Sequence, residues 1–323
     1  MTLALPALRP ASYASSPLHS SERVWSQSNC YVDLWIEVLH SLGLDPRAAG
    51  AFTLSADFEG DQWAFFKPPV EDLRALCGID VAELNVWRPL VDHIGEQLDF
   101  GRLLTVEVDA FHLPDTVGVS YRTEHVKTTI APAWIEQNAR QLRYFHNAGL
   151  HELEGEDFDA LIGTRCAGPH ALAPYVEIIK LDRLCRDEGR LAAVAGELIR
   201  SHIGRRAVDN PVRRMNKRIS ADLDWLRGAD VETFHRYTFG TCRQSGASAE
   251  LAADFIDWFD AHTDAGLADV ATHFRSVASA ARVVQFNLAR SVRGRRFDIQ
   301  TPLEEMTDRW DRAFAMLCDR YGS

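Results

Sequence analysis

The apolar positions of this chain change their period as the sequence proceeds. From Tyr31 the pattern Val32, Leu34-Trp35-Ile36, Val38-Leu39, Leu42 repeats at helical spacing and stops at Gly43, with polar Gln27, Ser28 and Asn29 just ahead of it as an N-cap region. Short apolar runs then predict strands at Ala51–Leu54 and Trp63–Phe66, a helix at Val70–Cys77 behind Pro68-Pro69, and another helix at Val86–Leu98. Arg102–Asp109 reads as a strand ending in an acid. Strands at His125–Ile130 and Gln141–His146, a short one near Leu150–Leu153 and a closing helix at Glu156–Ile162 follow. Gly163–Pro174, rich in Gly, Pro and Ala, marks a boundary, and Tyr175–Leu181 reads as a last strand. Beyond it the period is almost wholly helical, over Leu184–Ile203, Val212–Leu226, Val231–Cys242, Ser248–His262, Leu267–Arg290 and Leu303–Tyr321.

Helices followed by an antiparallel sheet give an α+β order, and the second half packs as a helical bundle. The expected division is a loosely ordered N-terminal arm at 1–22, an α+β domain at 23–180 and an all-helical domain at 181–323. A chain of 323 residues, 46% hydrophobic and 25% charged, suits a globular protein of this size. It contains no run of eighteen apolar residues, so no membrane association is expected. The N-terminus lacks a basic region and is broken by Pro6 and Pro10, unlike a signal peptide. Six widely spaced cysteines without a CxxC pair fit a reducing cytoplasm, and a net charge of −11 argues against nucleic acid as a partner.

The candidate chemistry begins with Ser-Gln-Ser-Asn-Cys-Tyr at 26–31, which puts Cys30 at the start of the apolar helix. The positive end of a helix dipole lowers a thiol pKa and favours the nucleophilic thiolate. His125 opens a β-type run, Glu-His-Val-Lys-Thr-Thr-Ile, and Asn147 ends the strand Leu-Arg-Tyr-Phe-His-Asn. Cysteine on a helix, histidine on a strand and Asn or Asp on the next is the chain order of papain-like cysteine enzymes. His125 would take the Cys30 proton and later protonate the leaving group. Asn147 and His146 compete as the third member, because strand side chains alternate; Asn147 suits the orienting role, although Asn147-Ala148-Gly149 also reads as a plain hairpin turn. The Cys30 backbone N–H with Gln27 or Asn29 would form the oxyanion hole. Asp109 either binds a substrate amine or holds a loop. The histidines lack metal-ligand spacing, so no metal is expected. Residues 183–218 carry ten Lys/Arg against four Asp/Glu. Arg205, Arg206, Arg213, Arg214 and Arg218 there form either a solvated helix face or a docking patch for an acidic partner, with Arg290, Arg293, Arg295 and Arg296 as a second cluster.

Ser-Asn-Cys-Tyr at 28–31, Val-Asp-Ala-Phe-His-Leu-Pro-Asp-Thr at 108–116, Glu-His-Val-Lys-Thr-Thr-Ile at 124–130, Tyr-Phe-His-Asn-Ala-Gly at 144–149, Glu-Gly-Glu-Asp-Phe-Asp at 154–159 and Arg-Gln-Ser-Gly-Ala at 243–247 resemble the bacterial family known as domain of unknown function 1839. More distantly, Cys30, Asp109 with Leu113-Pro114, and His125 are similar to the pattern of butirosin biosynthesis protein H and the bacteriocin-processing cysteine peptidases. The Gly-Tyr-Asp usual in that group after the histidine strand is absent, and Asn147 stands for the peptidases' Asp. The resemblance implies a papain-like first half. It also implies transfer of an aminoacyl group from the phosphopantetheine thioester of a carrier protein to a small-molecule or protein acceptor, amine or alcohol, with no bound cofactor of its own. A cysteine peptidase or thioesterase using the same residues with water, and a non-catalytic binding protein on the same fold, are the alternatives.

Overall fold

Asn29 begins the first helix as the sequence leads one to expect. Its side chain accepts from the Val32 N–H at 3.0 Å, and α1 (Cys30–Ser41) buries Val32, Leu34, Trp35, Ile36, Val38 and Leu39. The computed structural model describes residues 7–163, 173–292 and 297–322. Cys166, Arg293, Arg295, Arg296 and most of the expected boundary segment lie outside the described residues.

After α1 come α2 (Val70–Cys77), β1 (Asp80–Glu83), α3 (Leu90–Asp99), β2 (Leu103–Asp109), β3 (Lys127–Glu136), β4 (Gln141–His146), β5 (Gly149–Glu154), α4 (Glu156–Leu161) and β6 (Val176–Lys180). The six strands form one antiparallel sheet in the order β1-β6-β2-β3-β4-β5. The helices α5 (Glu188–Arg205), α6 (Pro211–Arg227), α7 (Val231–Thr238), α8 (Gln244–Thr263), α9 (Ala268–Val292) and α10 (Gln300–Tyr321) complete the chain. The protein is thus α+β with a helical C-terminal region.

The chain divides into two units that interleave in sequence. The first comprises Met1–His19, Asn29–Pro46 and Leu73–Arg186, the second Ser20–Ser28, Arg47–Asp72 and Asp187–Ser323. In the first unit the sheet has two unlike faces. Leu104, Val106 and Val108 of β2, Ile130 of β3 and Leu142 and Tyr144 of β4 pack with Leu90 and Ile94 of α3 and Phe158 and Leu161 of α4. The alternate residues of β2, Thr105, Glu107 and Asp109, point the other way, since the side-chain period of a strand is two. On that second face Glu177 of β6 accepts from Thr105 Oγ1 and from the Tyr31 hydroxyl of α1, both at 2.7 Å. The first turn of α1 therefore lies on the Asp109 side of the sheet.

Within the expected loose arm, Tyr13, Ser16 and His19 are tied down. Glu37 of α1, fully buried, accepts from the Tyr13 hydroxyl at 2.5 Å and the Ser16 N–H at 2.9 Å, and its carboxylate lies 2.5 Å from His19 Nδ1. Two predicted strands are also absent. Pro46–Ser55 is a run of 3₁₀ turns, and Trp63 makes only an isolated bridge to Phe58. Ala48, Ala51, Phe52 and Leu54 are buried without alternation, and Gly50 lies so close to Phe255 of α8 that a Cβ there would sit 2.7 Å from its side chain. Burial on all sides gives the apolar run of a strand without a strand's pairing. Several elements shift by a few residues; the helix expected from Leu184 begins at Glu188, where Asp187 accepts from the Arg190 N–H as N-cap.

Candidate functional site

Cys30 is the first residue of α1 and is half-buried. Burial, the largest influence, pushes its thiol pKa up; the Thr128 side chain pulls it down, Asp33 of the same first turn pushes it up, and the Thr129 backbone and the Lys127 charge pull it down. The balance is upward, not downward as the helix position alone implies. Asp33 in the first turn offsets the positive helix end that would favour a thiolate. Cys77 and Cys242 are buried packing residues whose thiols are both pushed up to about 12.

The groups that act on the thiol belong to the start of β3, and register brings a second pair beside them. Lys127 is the cross-strand partner of Asp109, the last residue of β2. Asp109 Oδ2 lies 2.5 Å from His125 Nδ1, while Oδ1 accepts from the Phe111 N–H at 3.0 Å and so caps the 3₁₀ turn Ala110–His112. The His125 ring stacks on Phe111 with centroids 4.5 Å apart and planes 10° from parallel. Burial raises the Asp109 pKa, but the hydrogen bonds to His125 and the Phe111 N–H outweigh it, and the carboxyl is held below its ordinary range. His125 itself precedes β3, and its side chain is 72% exposed. Asp109 therefore holds the His125 ring as well as the loop. The expected orienting residue, Asn147, sits elsewhere. It occupies the left-handed position of the β4–β5 turn at φ +46°, and its amide lies 3.4 Å from His146 Nδ1.

A second histidine-carboxylate pair lies inside the unit. His146 Nδ1 is 2.6 Å from Asp115 Oδ2, and its Nε2 is 2.8 Å from Thr128 Oγ1. Tyr144 donates to Asp115 Oδ1 at 2.6 Å. His146 and Tyr144 are buried, and the Asp115 side chain is 7% exposed. Burial, the largest single influence, raises the Asp115 pKa, but the hydrogen bonds from His146 and Tyr144 and the neighbouring histidines together outweigh it and the net shift is downward. Asp115 and Thr128 were not among the residues that sequence singled out. Both fall inside quoted motifs, but neither has a periodic or spacing signal of its own. Among the described residues no hydrogen bond joins the Cys30 thiol to the ring of His125 or His146, and none forms a His, Cys, Asp and Glu group suited to a metal ion.

The remaining candidates are simply placed. The Asn29 side-chain oxygen is used as the α1 cap. Gln27 is exposed and belongs to the Ser20–Ser28 segment of the helical unit. The arginines of α5 and α6 are engaged within that unit. Arg213 donates to Asp311 at 2.6 Å, Arg218 to Asp222 at 2.6 Å, and Arg214 to Asp57 and to the Phe58 carbonyl. Arg205 Nη2 lies 2.9 Å from His202 Nδ1, and Arg206 reaches the Cys318 sulfur at 3.3 Å while lying over the Phe314 ring.

No curated protein matches the chain. Residues 14–181 match the DUF1839 N-terminal domain and residues 188–319 the DUF1839 C-terminal domain. Together the two matches span nearly all of the sequence, and the protein belongs to the DUF1839 family.

Proposed function

We propose that this protein is a cysteine-dependent acyltransferase that takes an aminoacyl group from the phosphopantetheine thioester of a carrier protein and passes it to an amine or alcohol. One observation supports this reading above the others: the helix-initiating cysteine feels the charge of Lys127, whose cross-strand partner is the Asp109 that orients His125. Cys30 attacks the thioester carbonyl, and its own backbone N–H at the start of α1 faces the developing oxyanion. His125, held through Nδ1 by Asp109, takes the Cys30 proton on Nε2 and gives it to the leaving thiol, then takes the acceptor's proton and returns it to the Cys30 sulfur as the acyl group leaves. The ring's exposure suits contact with substrate, and the chain order matches that of papain-like enzymes. The partner is an acidic carrier, and Arg213, Arg214 and Arg218 of α6, paired with aspartates yet still partly exposed, are the candidates for its docking.

The test is incubation with an aminoacylated carrier protein followed by intact mass. The wild-type chain gains the aminoacyl mass and the Cys30→Ala chain does not. Adding an amine acceptor clears the adduct with formation of an amide. Clearance by water at the same rate would make the protein a hydrolase, and no adduct on any chain would remove the catalytic reading.

A further inference from the structure

The helical unit holds a cavity of about 220 Å³ that the reaction at Cys30 leaves without a task. Leu54 of the 3₁₀ run, residues 206–211 between α5 and α6, and Trp310, Phe314 and Cys318 of α10 line it. We infer that this cavity binds a free apolar α-amino acid as its zwitterion, with the carboxylate on Arg206, the ammonium on Asp209 and the side chain against Trp310 and Phe314. The site stands apart from the acyltransferase reading and does not rest on it.

Arg206 is the cationic wall. A guanidinium carries five N–H donors in a planar fork that matches a carboxylate. Arg206 gives Nη1 to the Ala207 carbonyl at 2.9 Å and Nη2 to the Cys318 sulfur at 3.3 Å, and sulfur is a weak acceptor. Its Nε is buried and has no hydrogen-bond partner. Buried polar groups are ordinarily satisfied, so this guanidinium has donors to offer an anionic group. The two aspartates on the lining differ in what they have left. Asp311 is used on both oxygens, by Asn210 Nδ2 at 2.9 Å and by Arg213 at 2.6 Å. Asp209 meets Arg214 Nε through Oδ2 at 3.3 Å, and its side chain is 68% exposed. Its other oxygen is the one to receive an ammonium group.

Charge and size together select the ligand. A plain carboxylic acid meets Asp209 and Asp311 as like charges, and a plain amine leaves Arg206 without an acceptor; a zwitterion serves both. An engineered cavity of about 150 Å³ accepts benzene, so 220 Å³ has room for roughly eight to ten non-hydrogen atoms. That range covers valine, leucine, isoleucine and methionine and falls well short of a nucleotide. Trp310 and Phe314, both buried, stand with ring centroids 5.0 Å apart and supply the apolar wall. Val208, also on the lining, is fully exposed, so an apolar ligand gains by covering it.

Cys318 lines the cavity and is partly exposed, so it reports occupancy. The full chain is alkylated with iodoacetamide alone and with L-valine, L-leucine, L-isoleucine or L-methionine at about 10 mM, and each cysteine is read by peptide mass. At least one of the four should slow Cys318 about tenfold and leave Cys30 within about twofold of its own rate. The methyl ester of that amino acid, which lacks the carboxylate, and its deaminated acid should each protect less than about twofold. Arg206→Gln and Asp209→Asn should remove the protection, taken as the ratio of rates within each variant, with thermal unfolding as the check on folding. If Arg206→Gln does not fold, Asp209→Asn at its exposed position decides. No protection by any of the four overturns the inference, and so does protection that survives in Asp209→Asn. Equal protection by the ester or the acid overturns it as well, since the cavity would then take a plain cation or anion. Slowing of Cys30 to the same degree also overturns it, because the effect would not belong to the cavity.

Discussion

The two units treat their polar side chains differently. In the sheet unit acids and histidines are buried in linked sets: Glu37 with Tyr13, Ser16 and His19, Asp115 with His146 and Tyr144, Glu177 with Tyr31 and Thr105. In the helical unit, apart from the buried sets of His202 with Asp72 and Ser55 and of Glu250 with the Val24 and Trp25 N–H groups, the prominent charges are arginines at the surface, each against an aspartate. A buried set leaves an uncompensated group when one member is removed, whereas an exposed pair loses little because water replaces the partner. The lesson is that chemical precision is concentrated where polar groups are inside, and that a run of basic residues in sequence need not remain a basic surface once folded.

The sharpest break of this comparison is Glu37→Gln. It removes the buried carboxylate charge on which His19 and Tyr13 converge and leaves His19 with Asp33 alone, and the expected loss is about 3 kcal/mol in urea unfolding. A loss below about 0.5 kcal/mol would mean that the arm is not held as described.

The pH dependence of the same set sharpens it. Burial lowers the His19 pKa, but Asp33 and Glu37 outweigh burial and raise it from 6.5 to about 9. A raised histidine stabilises fully below its unfolded value and loses that contribution as pH rises through about 9. Burial raises Glu37, but hydrogen bonds to His19 and Tyr13 outweigh it and the pKa is lowered from 4.5, so its contribution is present above 4.5 and lost as pH falls through the lower folded value. The stability gap between wild type and Glu37→Gln should therefore be widest near pH 5–6.5 and narrow on the alkaline side, as followed by unfolding at stepped pH. A gap that is flat to pH 10 would assign the loss to packing.

Asp109→Asn is the intermediate case, since its pair with His125 belongs to the sheet unit but is exposed. Stability should change by less than about 1 kcal/mol. Acyl turnover should fall on the order of 100-fold, because His125 loses its orientation. Equal and small effects on both would leave Asp109 as a loop cap alone. The smallest effect is expected at Arg213→Ala, within about 1 kcal/mol of wild type. Carrier-dependent turnover of a chain reversed to Glu at Arg213 and Arg214 should drop at low salt, while turnover of a small thioester is unchanged. Loss with both substrates would remove the docking role of α6.

Much of this was legible before any coordinates. The period of Tyr31–Leu42, the polar triplet before it and the alternation of Arg102–Asp109 and Gln141–His146 report local backbone preferences, and those elements form where expected. Ala51–Leu54 misled because an apolar run records burial but not hydrogen-bond partners. The candidates Cys30 and His125 were visible through helix position and chain order. Asn147 was drawn in by the same order, yet its residue type serves the turn, and the carboxylate on His125 comes from the preceding strand.

By itself the sequence determined the α+β order, the helical second half, the family and the cysteine that opens the first helix. Those properties depend on neighbours within one turn, one strand or one motif. Only the tertiary structure decided which carboxylate each histidine holds, that the Thr128 hydroxyl meets a buried imidazole, and that the arginine-rich segment is paired with aspartates. Asp115 is 31 residues from His146, and Asp311 is 98 from Arg213. Such contacts are set by strand register and helix packing, which no local pattern of residue types encodes.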